Sequence, residues 1–323
     1  MDAQRALLII NPISGTTNKR GLDKVVSARL EPLGITVDTA WTTGHGDATR
    51  LSKRAVADGY DMVLAAGGDG TINETAVALC DTGVTLGIIP CGSGNGLARH
   101  LNIPVDIKAA LDIIASGNAE VCDHGSVNDT PFFCTFGTGF DATVSEKFAR
   151  AKRRGKLTYL RNTFREYMTY RPEEYVISAN GQVLTERAFV VAVCNASQYG
   201  NNAYIAPHAS ITDGLLDVTI IHYGNLLTTA LVGVDLMTGF IDKNFLIHTF
   251  RTKSAVITRK QPGAVHIDGE PMVMDSRLDV RCHEQSLKVF TPGTDKPFRP
   301  LLTPMMSMLN DFGYTLRHVF DKQ

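Results

Sequence analysis

The residues most ready for chemistry stand at Ala65–Glu74, AAGGDGTINE. An apolar run ends in Gly67-Gly68-Asp69-Gly70, and a helical pattern opens at Thr71, running through Ile72 and Asn73. Glycines there let backbone N–H groups approach an anion with no Cβ in the way. A helix N-terminus adds unpaired donors and a partial positive charge. Together they form a phosphate cradle. It is neither GxxxxGK[ST], because no Lys-Ser/Thr follows, nor GxGxxG. Asp69 is the informative departure: a carboxylate beside phosphates repels them unless a cation intervenes, which points to Mg²⁺. A plain strand-to-helix turn would carry the same glycines, so the loop has to be weighed with its neighbours.

Two further loops follow apolar runs. Asn11-Pro12-Ile13-Ser14-Gly15 comes after the first, and Pro90-Cys91-Gly92-Ser93-Gly94-Asn95-Gly96 after the fourth. In a parallel sheet with right-handed crossovers, all three loops face one edge, where ligands bind. One such loop is a common turn; three converging are hard to explain as turns alone.

The elements that would hold these loops can be read from hydrophobic periodicity. Strands are expected at Ala6–Ile10, Ile35–Trp41, Met62–Ala66 and Leu86–Ile89, with helices at Lys19–Leu33, Asp47–Ala57 and Thr71–Leu79. This alternation implies an α/β half with a parallel sheet. After about residue 125 the pattern turns β-rich. Strands are expected at Phe132–Phe133, Tyr175–Ile177, Ala188–Val193, Leu216–Ile221, Ala255–Ile257, Leu278–Val280 and Leu287–Phe290. Helices are expected at Leu157–Met168 and Leu226–Met237. In the tail, Met305, Leu309, Phe312, Leu316 and Val319 recur at helical steps, although Gly313 costs such a helix about 1 kcal/mol.

The 323 residues suggest two domains at about 150 residues each. A composition of 44% apolar and 20% charged residues fits a globular enzyme rather than a disordered or fibrous chain. The net charge of −1 gives no global attraction to nucleic acid. No signal-peptide pattern opens the chain, and no stretch approaches the roughly 18 apolar residues of a membrane span. Six scattered cysteines without CxxC spacing favour reduced thiols over a zinc site or disulfides, and a cytoplasmic location. Arg150–Lys156, RAKRRGK, has five basic residues in seven. Such a run is either a solvated helix face or a contact for anionic headgroups.

NPISG, GGDGTINE and PCGSGNGLAR, in this order and spacing, resemble the catalytic domain of the diacylglycerol kinase superfamily. Its members include bacterial diacylglycerol kinases, sphingosine and other long-chain-base kinases, and ceramide kinases. The resemblance continues through Ala206–Val218, APHASITDGLLDV, and His266–Pro271, HIDGEP, so it spans nearly the whole chain. It implies an α/β nucleotide-binding domain of the NAD kinase/diacylglycerol kinase type at 1–125. A β-rich, sandwich-like domain follows at 126–298, with the active site in the cleft between the two. The helical spacing of the tail at 299–323 separately suggests an amphipathic helix that docks back on the body, with a helix lying on a membrane as the alternative.

The resemblance also implies roles. Asn11, Pro12, Ile13, Ser14 and Gly15 would contact ATP, as would Gly67, Gly68, Asp69, Gly70, Thr71, Ile72 and Asn73. Thr42 takes the place of a nucleotide-lining threonine upstream of a GDA triplet, with Thr43 as the alternative. Ser93 would offer its hydroxyl to a phosphate or ribose oxygen. A kinase needs a carboxylate to accept the acceptor hydroxyl's proton and carboxylates for Mg²⁺; Asp268 and Glu270 stand open for the first role and Asp69 for the second, with Asp69 as base the alternative that some family members use. Asp213, with the carbonyls of Ser210 and Leu215, would bind a structural Mg²⁺, unless Asp213-Gly214 is only a hairpin turn.

The expected reaction is ATP- and Mg²⁺-dependent phosphoryl transfer to a lipid hydroxyl at a membrane surface, peripheral to its inner face. Diacylglycerol ranks slightly above a sphingoid base. Many diacylglycerol kinases carry Asp after the Asn of the fourth loop, where this chain has Gly96, nearer the long-chain-base form. The compact length favours the bacterial diacylglycerol kinases. A soluble-substrate kinase of the NAD kinase type and a non-catalytic sensor are more remote alternatives, and a homodimer is allowed for.

Overall fold

The computed structural model describes residues 4–15, 19–150, 169–293 and 297–320. Residues 151–156 of the basic run and the helix expected over Leu157–Met168 lie outside them. The first half is a parallel sheet of β1 (Gln4–Ile10), β2 (Ile35–Trp41), β3 (Met62–Gly67) and β4 (Thr85–Pro90) in spatial order β2-β1-β3-β4. Helices α1 (Leu22–Leu30), α2 (Asp47–Ala57) and α3 (Asp69–Leu79) make the crossovers, followed by α4 (Gly96–His100) and α5 (Ile107–Ser116). Every residue of β3 and β4 is buried. This is why these strands read as unbroken apolar runs, with helices packed on both faces.

The second half holds β5 (Ala119–Val127), β6 (Thr130–Phe132), β7 (Thr135–Gly139), α6 (Phe140–Arg150), β8 (Glu173–Ala179), β9 (Gln182–Cys194) and β10 (Leu216–His222). It continues through α7 (Leu226–Thr238), β11 (Ile247–Thr252), β12 (Ser254–Arg259), β13 (Gly263–Ile267), β14 (Glu270–Met274), β15 (Arg277–Phe290) and α8 (Leu302–Phe320). Pairing within this half is antiparallel. Val127, Phe132, Phe136, Tyr175, Val191 and Ile257 belong to its separate core.

The strands expected at Leu278–Val280 and Leu287–Phe290 are one strand, β15, with a bulge between His283 and Leu287. In the polar stretch CHEQS that parts them in sequence, His283, Glu284 and Gln285 are exposed at the bulge while Ser286 is buried, and two extra residues there break the alternation. β15 also joins the halves. Its first part pairs with β12, and Val289 lies parallel to Leu86 of β4, so all 15 strands form one network. Phe133, Ala196 and Ile211 from the second half pack into the same core as Leu7, Ile9 and Leu97. The cleft between the halves therefore has hydrogen-bonded and packed walls, which limit how far its groups can drift.

Candidate active site

The three glycine loops meet at the C-terminal edge of the parallel sheet and pack backbone against backbone. Gly15 has φ of +62°, and a Cβ there would fall 1.7 Å from the Cys91 carbonyl oxygen. A Cβ on Gly92 would sit 2.6 Å from the Gly68 Cα. No side chain fits between these loops. Polar ties add to the packing: Asn11 Nδ2 donates to Thr71 Oγ1 at 2.9 Å, and the Cys91 amide donates to the Gly67 carbonyl at 2.8 Å.

Asp69 is at the first position of α3 and binds the fourth loop. Its Oδ2 accepts from the Asn95 amide at 2.9 Å and its Oδ1 from the Gly96 amide at 2.6 Å. A carboxylate has about four lone-pair sites, so roughly two remain for a cation. Asn95 is buried and holds the turn itself, its Oδ1 accepting from the Gly92 amide and its Nδ2 donating to the Gly92 carbonyl. Ser93 stands exposed at the tip of this loop, where a hydroxyl can meet a ligand.

The loop after β2 is fixed from α3. Glu74 Oε1 accepts from the Gly46 amide at 2.8 Å and Oε2 from the Ala48 amide at 3.1 Å, while His45 Nδ1 lies 2.9 Å from Oε1. Thr43 donates both its amide and its hydroxyl to Asp47 Oδ2. Those bonds hold the Asp47 carboxyl well below the ordinary aspartate range. Thr42 is buried, its amide donating to the Ile10 carbonyl at 3.0 Å. Thr43 is thus committed to its own turn, and Thr42 is the one seated against the end of β1.

The second half contributes the β13–β14 hairpin. Ile267 pairs with Glu270 across a two-residue turn in which Asp268 (φ 48°) and Gly269 (φ 85°) are both left-handed, the backbone that Asp-Gly suits. The Asp268 carboxylate accepts four hydrogen bonds: the amides of Phe133, Cys134 and Thr135 at 2.9, 2.8 and 2.8 Å, and Asn73 Nδ2 at 2.7 Å. Burial pushes this carboxyl up and the four donors pull it back. Glu270, two residues on, has no such cage. Its Oε1 is 2.7 Å from where a Gly70 Cβ would be, so it rests against the glycine loop at the start of α3. Part of Glu270 is exposed. Even so, the protein around its carboxyl pushes it up; His45 opposes the rise and the negative charges of Glu74 and Asp268 add to it.

A small cavity lies between the halves, lined by Asp69, Asn73, Gly96, Cys134, Tyr199 and Asp268. Beside it Tyr199 donates its hydroxyl to Asp141 Oδ2 at 3.0 Å, and His266 Nε2 is 3.0 Å from the same oxygen. A Cβ on Gly96 would meet only ordinary contacts, the nearest being Cys134 Sγ at 3.4 Å.

Residues 5–127 match the model of the diacylglycerol kinase catalytic domain, and residues 134–291 match that of the YegS C-terminal NAD kinase beta sandwich-like domain. A diacylglycerol kinase of Bacillus subtilis (strain 168) is 32% identical over 274 residues, 83% of this chain and 90% of the relative. The chain belongs to the diacylglycerol kinase family. A "Probable lipid kinase YegS-like" of Yersinia enterocolitica is 31% identical over 252 residues, 75% of this chain and 83% of that one. Among solved structures, a diacylglycerol kinase from Bacillus anthracis str. Sterne superposes with a TM-score of 0.68 at 20% identity, covering 89% of this chain and 97% of the other. An NAD kinase from Archaeoglobus fulgidus in complex with ATP gives 0.53 at 13% identity, with 94% and 99% covered. These two show the fold: an α/β half and a β sandwich-like half.

In this lipid kinase the sequence-expected residues separate into two places. Asn11–Gly15, Thr42, Gly67–Asn73, Ser93, Asp268 and Glu270 gather around the cleft. Ser210, Asp213 and Leu215 lie in a turn before β10, apart from it. There the Asp213 Oδ1 accepts from the Leu215 amide at 3.1 Å and its Oδ2 pairs with Arg251, which also reaches Asp217 at 3.4 Å. The guanidinium supplies the positive charge that a cation would bring, so this turn fits Mg²⁺ only with Arg251 displaced. At the cleft, Asp69 with its remaining lone pairs and the exposed Glu270 fit a cation beside phosphates; Asp268, with four donors, does not. Four residues of the kinase escaped sequence reading: Glu74, Asn95, Tyr199 and Asp141. Glu74 and Asn95 sat inside recognised motifs but looked like ordinary helix and turn residues.

Proposed function

We propose that this lipid kinase transfers the γ-phosphoryl group of ATP to a lipid hydroxyl in a Mg²⁺-dependent reaction, with Glu270 as the proton acceptor and diacylglycerol as the preferred acceptor. The observation that carries this reading is the seat of Glu270. A carboxylate of the second half rests on Gly70, at the helix terminus and glycine loop that would hold phosphates. Asn11–Gly15, Thr42 and Ser93 line the remainder of the nucleotide site, and the N-terminal amides of α3 face the triphosphate. When bound, Mg²⁺ supplies positive charge for the β- and γ-phosphates, and Asp69 is the residue placed to hold it.

In the transfer, the acceptor oxygen forms its bond to Pγ as the bond from Pγ to the bridging oxygen of ADP breaks. The hydroxyl proton passes to the Glu270 carboxylate. Positioning and charge stabilisation provide most of the rate in such transfers. Asp268 is the positioning residue: it fixes the hairpin that carries Glu270.

A sphingoid base is the second reading: Gly96 adds no side chain to the cavity that Asp69 and Asp268 line, and carboxylates there suit an ammonium headgroup. The test is ADP release by the purified protein with diacylglycerol or a sphingoid base in mixed micelles, with and without Mg²⁺. ADP release that requires both lipid and Mg²⁺ supports the proposal; release that ignores added lipid overturns it.

A further inference from the structure

Two helices of the second half carry apolar surface on the outside. On α7 the exposed positions are Leu226, Leu227, Ala230, Leu231, Gly233, Val234 and Met237 among the capping and buried residues, with no charge in the set. Leu227 is 72% exposed. On the first turns of α8, Met306, Leu309 and Phe312 are exposed as well, Phe312 at 63%. The helices abut: the Leu301 amide donates to the Thr238 carbonyl at 2.8 Å, and the Phe298 ring covers Gly239. Scattered exposed leucines are ordinary, but a run of this extent on adjoining helices marks an interaction surface.

We propose that α7 and the start of α8 form the face by which this kinase docks on a lipid bilayer, an inference that rests on the lipid-acceptor reading above. Charge supports that occupant. The one acid on α7 is Asp235, which accepts from Asn244 Nδ2 at 2.6 Å, and the one acid on the described face of α8 is Asp311, paired with Arg99 at 2.8 Å. Neither is left to repel anionic headgroups, while Lys243 and Arg299 stand exposed at the flanks. Among the described residues no helix is long and apolar enough to cross a membrane, so the face lies on the surface of a bilayer. Unbranched methionines at 305, 306 and 308 suit the irregular acyl boundary.

The face is also wired to the cleft. Arg99 donates from Nε to the Gly94 carbonyl at 3.1 Å while its Nη2 holds Asp311 on α8, and Ser307 donates to Asn202 at 2.8 Å. Gly94 in turn packs on Asp69, where a Cβ would sit 2.7 Å from Oδ2. A bilayer held against α8 is thereby held at a fixed position relative to the fourth glycine loop.

The test uses the full chain and vesicles of phosphatidylcholine with phosphatidylglycerol. Two double variants, L227Q/L231Q and M306Q/F312Q, are each expected to lose at least tenfold in vesicle co-sedimentation and in turnover of long-chain diacylglycerol embedded in the vesicles. Turnover of a short-chain, water-soluble diacylglycerol should stay within twofold, which separates docking from the chemistry. Hydrogen exchange of the unaltered protein, which needs no variant to fold, should show vesicle-dependent protection at 226–238 and 301–313. Vesicle binding unchanged in both variants, or protection confined to other segments, overturns the proposal. So does a dimer in the unaltered protein that both variants dissociate without any change in vesicle binding, since the face would then belong to a second copy. Failure to phosphorylate either diacylglycerol would count against the acceptor reading alone, because co-sedimentation and exchange report docking without turnover.

Discussion

Asn73 and Asp268 are 195 residues apart in the chain, and their side chains meet at 2.7 Å. One belongs to α3, four residues after Asp69, and the other to the hairpin that carries Glu270. This bond, with the three amides of Phe133–Thr135 on the same carboxylate, couples the α/β half to the hairpin that carries Glu270. It also separates two carboxylates that the motif HIDGEP leaves equivalent.

Substitutions at 268 and 270 should therefore fail in different ways. Asp268→Asn replaces an acceptor oxygen with an NH₂ that faces backbone N–H groups, at a cost of about 2–5 kcal/mol. We expect a clear fall in melting temperature together with lost activity. Glu270→Gln touches no such cage, so melting should stay near that of the unaltered protein while kcat falls about 10²–10⁴-fold. Thermal unfolding and steady-state kinetics on both variants check this; equal melting losses would remove the distinction.

The pH dependence follows from the raised Glu270 carboxyl. A base works only when deprotonated, so raising its pKa moves the acid limb of the rate profile upward. Activity should rise with pH through a midpoint above the ordinary glutamate value of about 4.3, and below that midpoint it should be lost. His45→Ala removes the residue that opposes the shift and should move the limb further up. A profile of kcat against pH measures both, and an unmoved limb in His45→Ala would count against Glu270 as the titrating group.

Asp69 holds the fourth loop through two hydrogen bonds and is also the proposed Mg²⁺ ligand, which sharpens its test. Asp69→Asn should lower turnover about 10²-fold, a barrier increase of about 3 kcal/mol. Because one of the two amide bonds from Asn95 and Gly96 is also weakened, the apparent affinity for ATP should fall with it. Turnover within threefold of the unaltered protein, with the same metal dependence, would refute the assignment.

At the outer turn, Arg251 and an ion are alternative occupants of Asp213. If Mg²⁺ binds there, it should raise the melting temperature of the nucleotide-free protein, raise it at lower concentration in Arg251→Ala, and have no such effect in Asp213→Ala. Identical Mg²⁺ responses in all three proteins would mean that Asp213 serves the ion pair alone.

Much of the first half was legible in the sequence. The strand at Met62–Ala66 and the helix at Asp47–Ala57 announce themselves because one is buried along its whole length and the other buries the stripe Ala48, Ser52 and Ala55. The Asp268-Gly269 hairpin reads locally as a turn, since Asp-Gly has the same local geometry whether or not its carboxylate reaches across the molecule; only the resemblance put it at the cleft. β13 and β14 were not anticipated; they are five residues each, too short to show a period. α4 escaped for the same reason. What the sequence could not carry were long-range choices: which of Asp268 and Glu270 is caged, that Glu74 anchors the loop of His45, and that Arg251 lies on Asp213. Each depends on partners at least 26 residues away.

Lipid extraction after reaction with ATP labelled at the γ-phosphate, in mixed micelles of diacylglycerol and a sphingoid base with Mg²⁺, tests the central claim most directly. We predict label in the organic phase, chiefly on phosphorylated diacylglycerol, absent when the label is at the α-phosphate and strongly reduced in Glu270→Gln. Label only on the sphingoid base would reverse the acceptor preference; label confined to water-soluble products would contradict ATP-dependent phosphorylation of a lipid hydroxyl.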